Sequence, residues 1–82
     1  LNSDFIIDQA KAFAKRVTGE YDEVPEQVEF AYRLVFGRSP SKAESQVAQA
    51  YLSIEKEKED KLSRWEQYCQ ALLASNELMY LD

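Results

Sequence analysis

The sequence predicts an all-α fold, a small antiparallel bundle of four helices with a packed C-terminal tail. Apolar residues recur at intervals of three and four along most of the 82-residue chain, which is the spacing of one helix face. Only two glycines and two prolines occur, and each stands at a predicted helix edge. An all-β domain would need many more turn residues.

The first helix is predicted over residues 3–18. Asn2 or Ser3 caps its N-terminus, and Gly19 is expected to end it because glycine suits the left-handed position past a helix. A single stripe carries its apolar residues: Ile6, Ala10, Phe13, Ala14 and Val17.

The second helix is predicted over residues 25–36. Proline is well suited to the first helical turn, so Pro25 marks the start. Gly37 is placed to adopt the left-handed position that ends the helix. The apolar stripe consists of Val28, Ala31, Leu34 and Val35.

The third helix is predicted to begin near Lys42. Ser41 and Glu44 fit the S-x-x-E capping box, in which each side chain bonds a backbone amide of the other residue. Pro40, just before this box, cannot continue the preceding helix. We expect the apolar stripe of the third helix to face the core; it consists of Ala43, Val47, Ala50 and Ile54.

The fourth helix is predicted to start near Leu62 or Ser63, where Ser63 and Glu66 fit a second capping box. One helix continuous with the third would be about 50 Å long, too long for this chain, so we predict a break near residues 57–61. The helix is expected to end around residues 75–76, and the apolar residues 78–81 to pack back on the bundle. Its stripe consists of Leu62, Trp65, Cys69 and Leu72.

Length and charge limit the classes of function. Residues 1–82 are sufficient for one helical domain, and because the chain begins at Leu1 we expect it to be a fragment of a longer multidomain protein. The formal net charge of −5 opposes nucleic-acid binding, which requires neutralisation of phosphates. No apolar run approaches the roughly 20 residues of a membrane span, so we expect no membrane insertion.

The residue types of common active sites are missing. The chain has no histidine and a single cysteine, which excludes a Ser–His or Cys–His nucleophile pair and a thiolate metal site within it. Its two glycines do not form a phosphate-binding loop. We therefore predict no catalytic, cofactor or metal site in this fragment and no enzymatic activity, and we expect Cys69 to be a buried, inert thiol.

Four polar residues are expected to hold the junctions between helices together: Arg38, Glu44, Asn76 and Glu77. Arg38 is predicted to bind helix-terminal carbonyls or a carboxylate such as Glu44 or Glu77, with Asn76 and Glu77 tying the tail to the bundle. The alternative is that this set contacts a ligand. Trp65 is predicted to be a core anchor, with an exposed aromatic contact as the alternative.

Two segments carry a family resemblance. Residues 31–40 with Glu44, and Trp65 with residues 71–82, resemble the C-terminal end of a planctomycete-type domain of unknown function. That domain is found in large exported proteins that also carry cytochrome-c-like domains. Leu78 departs from the family pattern, which usually has Phe there. The resemblance implies a periplasmic or extracellular setting and places any haem on a separate domain; it assigns no catalytic residue.

These observations favour a non-catalytic structural and interaction module at the C-terminus of a large exported bacterial protein, whose partners are other domains of the same protein. The first alternative is an accessory wall of a carbohydrate-related enzyme site completed by upstream domains. That alternative requires an unpaired Arg38 beside an exposed aromatic residue. A second alternative is a peptide-docking adaptor, which requires a large exposed apolar groove. The sequence leaves the oligomeric state open.

Overall fold

The structure, a computed structural model, describes residues 3–79, with side chains as far as Asn76. Its helices are α1 (Asp4–Glu20), α2 (Val24–Phe36), α3 (Lys42–Leu52) and α4 (Arg64–Met79). No strand occurs among the described residues, and the predicted all-α bundle is confirmed. The predicted packing of the C-terminal tail lies outside the side chains that are described.

The N-terminus of α1 is capped as predicted, but its end is not where Gly19 indicated. The Ser3 hydroxyl accepts a hydrogen bond from the Ile6 amide at 3.3 Å. Gly19 lies inside the helix, which ends at Glu20 and is followed by Tyr21 in extended backbone. The buried Gln27 side chain donates from Nε2 to the Tyr21 carbonyl at 2.7 Å. The end of α1 is thus determined by a contact with α2, which the local pattern did not reveal.

The end of α2 follows the prediction. Gly37 has φ 70° and ψ 20°, the left-handed conformation, and its amide donates to the Arg33 carbonyl at 3.0 Å. Pro25 stands in the first turn, as expected.

The third helix begins as predicted but turns a different face inward. Both bonds of its capping box are present: the Glu44 amide donates to Ser41 Oγ at 3.1 Å, and the Ser41 amide to Glu44 Oε1 at 2.9 Å. The predicted inward stripe is wrong, because Val47 is 69% exposed and Ile54, which lies beyond the helix, is 54% exposed. Ala48 is buried instead.

The predicted break between α3 and α4 is confirmed, since residues 53–63 are not helical. The capping box of α4 is also present: the Ser63 amide donates to Glu66 Oε1 at 2.8 Å and the Glu66 amide to Ser63 Oγ at 3.1 Å. The helix starts at Arg64, and it extends to Met79, beyond the predicted end.

The core consists of two adjoining clusters around α4, which packs against each of the other three helices. Phe13 and Trp65 contact both clusters. The smaller cluster contains Ala10, Ala14 and Cys69. The larger contains Val17, Val28, Ala31, Tyr32, Ala48 and Leu72. None of the described helices is both long enough and apolar enough to cross a bilayer.

We expect Gly37→Ala to lower the free energy of unfolding by about 1–2 kcal/mol, because a Cβ disfavours the left-handed conformation. Gly19→Ala is the matched control: outside its chain neighbours and its own helix backbone, no atom lies within 4 Å of the position of its Cβ. Alanine is also the better helix former, so stability should rise by about 0.5–1 kcal/mol. Urea unfolding followed by circular dichroism measures both changes. Two changes of the same sign would contradict this account of the two glycines.

Candidate functional site

Local hydrogen bonds other than those of Arg38 already fix the turn between α2 and α3. Gly37 ends α2 and the Ser41–Glu44 box starts α3. Arg33, in the last turn of α2, also donates from Nη2 to the Ser39 hydroxyl at 3.1 Å. The turn therefore directs the Arg38 side chain toward the first turn of α3.

Arg38 bridges this turn to α3 with two parallel bonds. Its Nη1 lies 2.8 Å from Glu44 Oε1, and its Nη2 lies 3.0 Å from Glu44 Oε2. Nη1 also donates to the Ser39 carbonyl at 3.0 Å. The planar guanidinium matches the two carboxylate oxygens, an arrangement that lysine does not provide.

Aromatic rings of α2 support the guanidinium. Its carbon lies 5.4 Å from the centre of the Tyr32 ring and 5.7 Å from that of Phe36. The two rings are themselves 5.2 Å apart, and Tyr32 belongs to the core. Cation–π attraction thus holds Arg38 against the outer surface of α2, so that Glu44 is bound to a group whose position is already set.

The electrostatics of the pair follow from these contacts. The bond from Arg38, with the Ser41 amide in addition, lowers the pKa of Glu44 to about 2. The same bond raises the pKa of Arg38. The Arg38 side chain is 52% exposed and that of Glu44 is 36% exposed, so water screens the attraction. The main contribution of the pair is therefore to orient α3 relative to the preceding turn. Its electrostatic contribution to stability is smaller.

The remaining residues proposed as a clamp or ligand contact do not join Arg38. Asn76 lies on α4 and lines a groove with residues of α1 and α2. The side chain of Glu77 lies outside the described residues. Trp65 is partly buried, packs against both core clusters and makes an edge-to-face contact with Tyr68 at 5.7 Å. The described structure therefore brings together only Arg38 and Glu44 of this set.

Arg64, which the sequence did not single out, anchors the charged segment, which we define as the seven consecutive charged residues 55–61. Its Nε donates to the Ile54 carbonyl at 3.1 Å and its Nη2 to the Glu55 carbonyl at 2.7 Å. Its Nη1 donates to Gln67 Oε1 at 2.7 Å, and the guanidinium carbon lies 5.3 Å from the Tyr51 ring centre. The capping box at Ser63 located the start of α4. No local sequence pattern indicates that Arg64, the first residue of this helix, bonds carbonyls nine and ten positions earlier.

Cys69 is fully buried beside two alanines of α1. Burial raises the pKa of its thiol to about 12, which leaves little of the nucleophilic thiolate at neutral pH. No group of three or more potential metal ligands occurs in the part of the chain that the structure describes. Arg38 and Glu44 are thus paired with each other, and Cys69 is enclosed by the core.

Residues 1–52 match the protein family PSD1, described as a protein of unknown function (DUF1553). The chain belongs to this family. The matched part contains α1, α2 and α3, and therefore the Arg38–Glu44 junction. No curated protein and no solved structure shows significant similarity to the chain.

We expect Glu44→Gln to lower the melting temperature at pH 7 by roughly 2–5 °C. Glutamine keeps the capping box but loses the charged partner of Arg38. Because the pKa of Glu44 is lower when folded, its stabilising contribution is present above about pH 4.5 and is lost as the pH falls toward about 2. The wild-type and variant melting curves should converge over that range.

The matched control for this experiment is Glu29→Gln. It removes one negative charge from an exposed carboxylate that lies 3.9 Å from Arg33. A difference between wild type and Glu44→Gln that persists unchanged at pH 2 would contradict the assigned role of the Arg38–Glu44 bond.

We also expect Cys69 to resist thiol reagents in the native protein. At pH 8, modification by a disulfide reagent should be more than about 100-fold slower than in 6 M guanidinium chloride, where the thiol is exposed and ionises normally. Absorbance of the released thiolate measures both rates. Similar rates in the two solvents would show that α4 does not bury this residue.

Proposed function

We propose that the chain is a non-catalytic structural and interaction module at the C-terminus of a large exported bacterial protein, in a periplasmic or extracellular setting. Its partners are other domains of that protein, among them the cytochrome-c-like domain that the sequence resemblance associates with it. The observation that carries the proposal is the outward orientation of the apolar stripe of α3.

We call this stripe the outer face of α3 and define it as Ala43, Val47 and Ala50. All three residues are exposed, and Val47 is 69% exposed. With Ile54 just beyond the helix, they follow a four–three–four spacing. This is the spacing of a seam between two packed helices, so the occupant we propose is an amphipathic helix of the same full-length protein.

A groove beside this face extends the apolar surface to α4. It has a volume of about 340 Å³, with Tyr32, Tyr68 and Leu72 among its lining residues. Small residues line both sides, Ala43 on α3 and Ala71 and Ser75 on α4. Small side chains allow another helix to approach closely, and helices commonly bind in apolar grooves of this kind.

The pairing of Arg38 bears on the alternative function. The alternative of a carbohydrate-related enzyme wall depended on an unpaired Arg38, but Arg38 donates to both Glu44 and Ser39. No observation favours that alternative over docking.

The test compares the reactivity of Val47→Cys in the 82-residue chain and in the full-length protein that contains it. Docking of a helix on the outer face should make maleimide modification of this position more than about tenfold slower in the full-length protein. Gln46→Cys is the matched control, since Gln46 is exposed on the same helix and lines a different groove, with Pro25 and Glu29. Its rate should be similar in the two proteins, as resolved by peptide mass spectrometry.

Equal rates at position 47 in both proteins would overturn the docking proposal. So would slow modification in the 82-residue chain that accelerates on dilution, because that result would identify a second copy of the chain as the occupant. Light scattering of the same samples measures the oligomeric state directly.

A further inference from the structure

A second groove, separate from the outer face of α3, lies among α1, α2 and α4. Its volume is about 390 Å³, within the lower range of pockets that hold small molecules. Its apolar lining consists of Ala12, Phe13, Leu34, Val35 and Leu73. Leu34 is 39% exposed although it lies on the predicted apolar stripe of α2, so this part of the stripe is not covered by the described bundle.

Three polar side chains from two helices converge on the same groove. Gln9 and Arg16 come from α1, and Asn76 comes from α4. Gln9, Phe13 and Arg16 are four and three residues apart, so the two polar groups lie on either side of an apolar one along a single helix face. An apolar surface with a few converging polar groups is the usual composition of a small-molecule site.

Arg16 provides a positive charge without a carboxylate partner among the described residues. Its contact is with an aromatic ring: the guanidinium carbon lies 5.6 Å from the centre of the Phe30 ring. Its N–H groups make no hydrogen bond to the part of the chain that the structure describes, so they can donate to a ligand. The side-chain amides of Gln9 and Asn76 likewise have no hydrogen-bond partner in the described part of the chain.

We propose that this groove binds a small amphiphilic carboxylate, with the carboxylate on Arg16 and the amides of Gln9 and Asn76, and the aliphatic body on Leu34 and Leu73. A guanidinium pairs with a carboxylate through two parallel bonds. A phosphate dianion is disfavoured, because the groove has one cation and the chain has a net charge of −5. The proposal is independent of the docking role of α3.

The experiment is an NMR titration of the 15N-labelled 82-residue chain with octanoate at pH 7. Amide shifts should saturate with a Kd on the order of 1 mM, as expected for a ligand this small in an open groove, and should map to residues that line the groove. Butyrate should bind more than about tenfold more weakly, because each buried methylene contributes to affinity. Octyltrimethylammonium, which has the opposite charge, should not saturate the same amides.

Two substitutions on α1 distinguish a direct contact with Arg16 from the effect of removing any positive charge from this helix. Arg16→Gln should weaken octanoate binding by about tenfold or more. Lys15→Gln, the matched control, removes one positive charge at the preceding position of α1. Lys15 lines a different groove, so this substitution should change the Kd less than twofold. Leu34→Ser tests the apolar side at a partly exposed position and should weaken octanoate more than butyrate.

The proposal is overturned if octanoate gives no saturable shifts, if the two α1 substitutions weaken binding equally, or if the cationic analogue binds as well as octanoate. A further arm deletes residues 80–82, which contain apolar and carboxylate groups of the chain itself. Binding of octanoate to the intact chain supports the proposal. Binding that appears only after the deletion overturns it, because the groove would then belong to the C-terminal residues.

Discussion

The bond between Arg38 and Glu44 sets the rotation of α3, and the surface of the molecule depends on that rotation. Arg38 is held on the Tyr32 and Phe36 rings of α2, so the carboxylate it binds must face α2. Ala48, one turn after Glu44, then points into the core. A helix turns about 100° per residue, so the predicted stripe beginning at Ala43 is displaced from the interior by about that angle.

Burial of Ala48 has a second consequence for packing. An alanine at the contact lets α3 approach the bundle closely, while Tyr51 and Leu52 remain only partly buried at its far end. Tyr51 donates to Gln67 of α4 at 3.0 Å, and the Arg64 guanidinium lies over the same tyrosine ring. The rotation set at the start of α3 therefore also determines the position of Tyr51. Through this tyrosine it determines where the charged segment and the start of α4 pack.

The sequence was most informative where structure is local. The Ser41–Glu44 and Ser63–Glu66 boxes located two helix starts, and Gly37 located a helix end, because these signals involve residues within one turn. Gly19 was misleading, since the end of α1 depends on Gln27 across the junction. A glycine with no tertiary constraint is compatible with a continuing helix, at a modest cost in stability.

The face of α3 could not be predicted for a related reason. Periodicity gives the direction of the apolar stripe but does not show whether the stripe meets the core or another surface. That choice depends on Arg38, whose partner and aromatic support come from three separate positions in the sequence. The reach of Arg64 to Ile54 and Glu55 is equally nonlocal, and its residue type alone does not reveal it.

The two grooves follow from the way the chain distributes its apolar residues. Alanines at positions 10, 14, 31 and 48 fill much of the described core, and the largest fully buried side chains are Val17, Val28 and Cys69. Residues larger than alanine, among them Leu34 and Val47, remain exposed. Close helix packing through alanine needs little side-chain volume, so the bundle leaves larger apolar residues on its surface. Covering such residues with another molecule lowers the free energy. We therefore infer that the small core and the two outward apolar surfaces have the same cause, the close packing of helices through alanine.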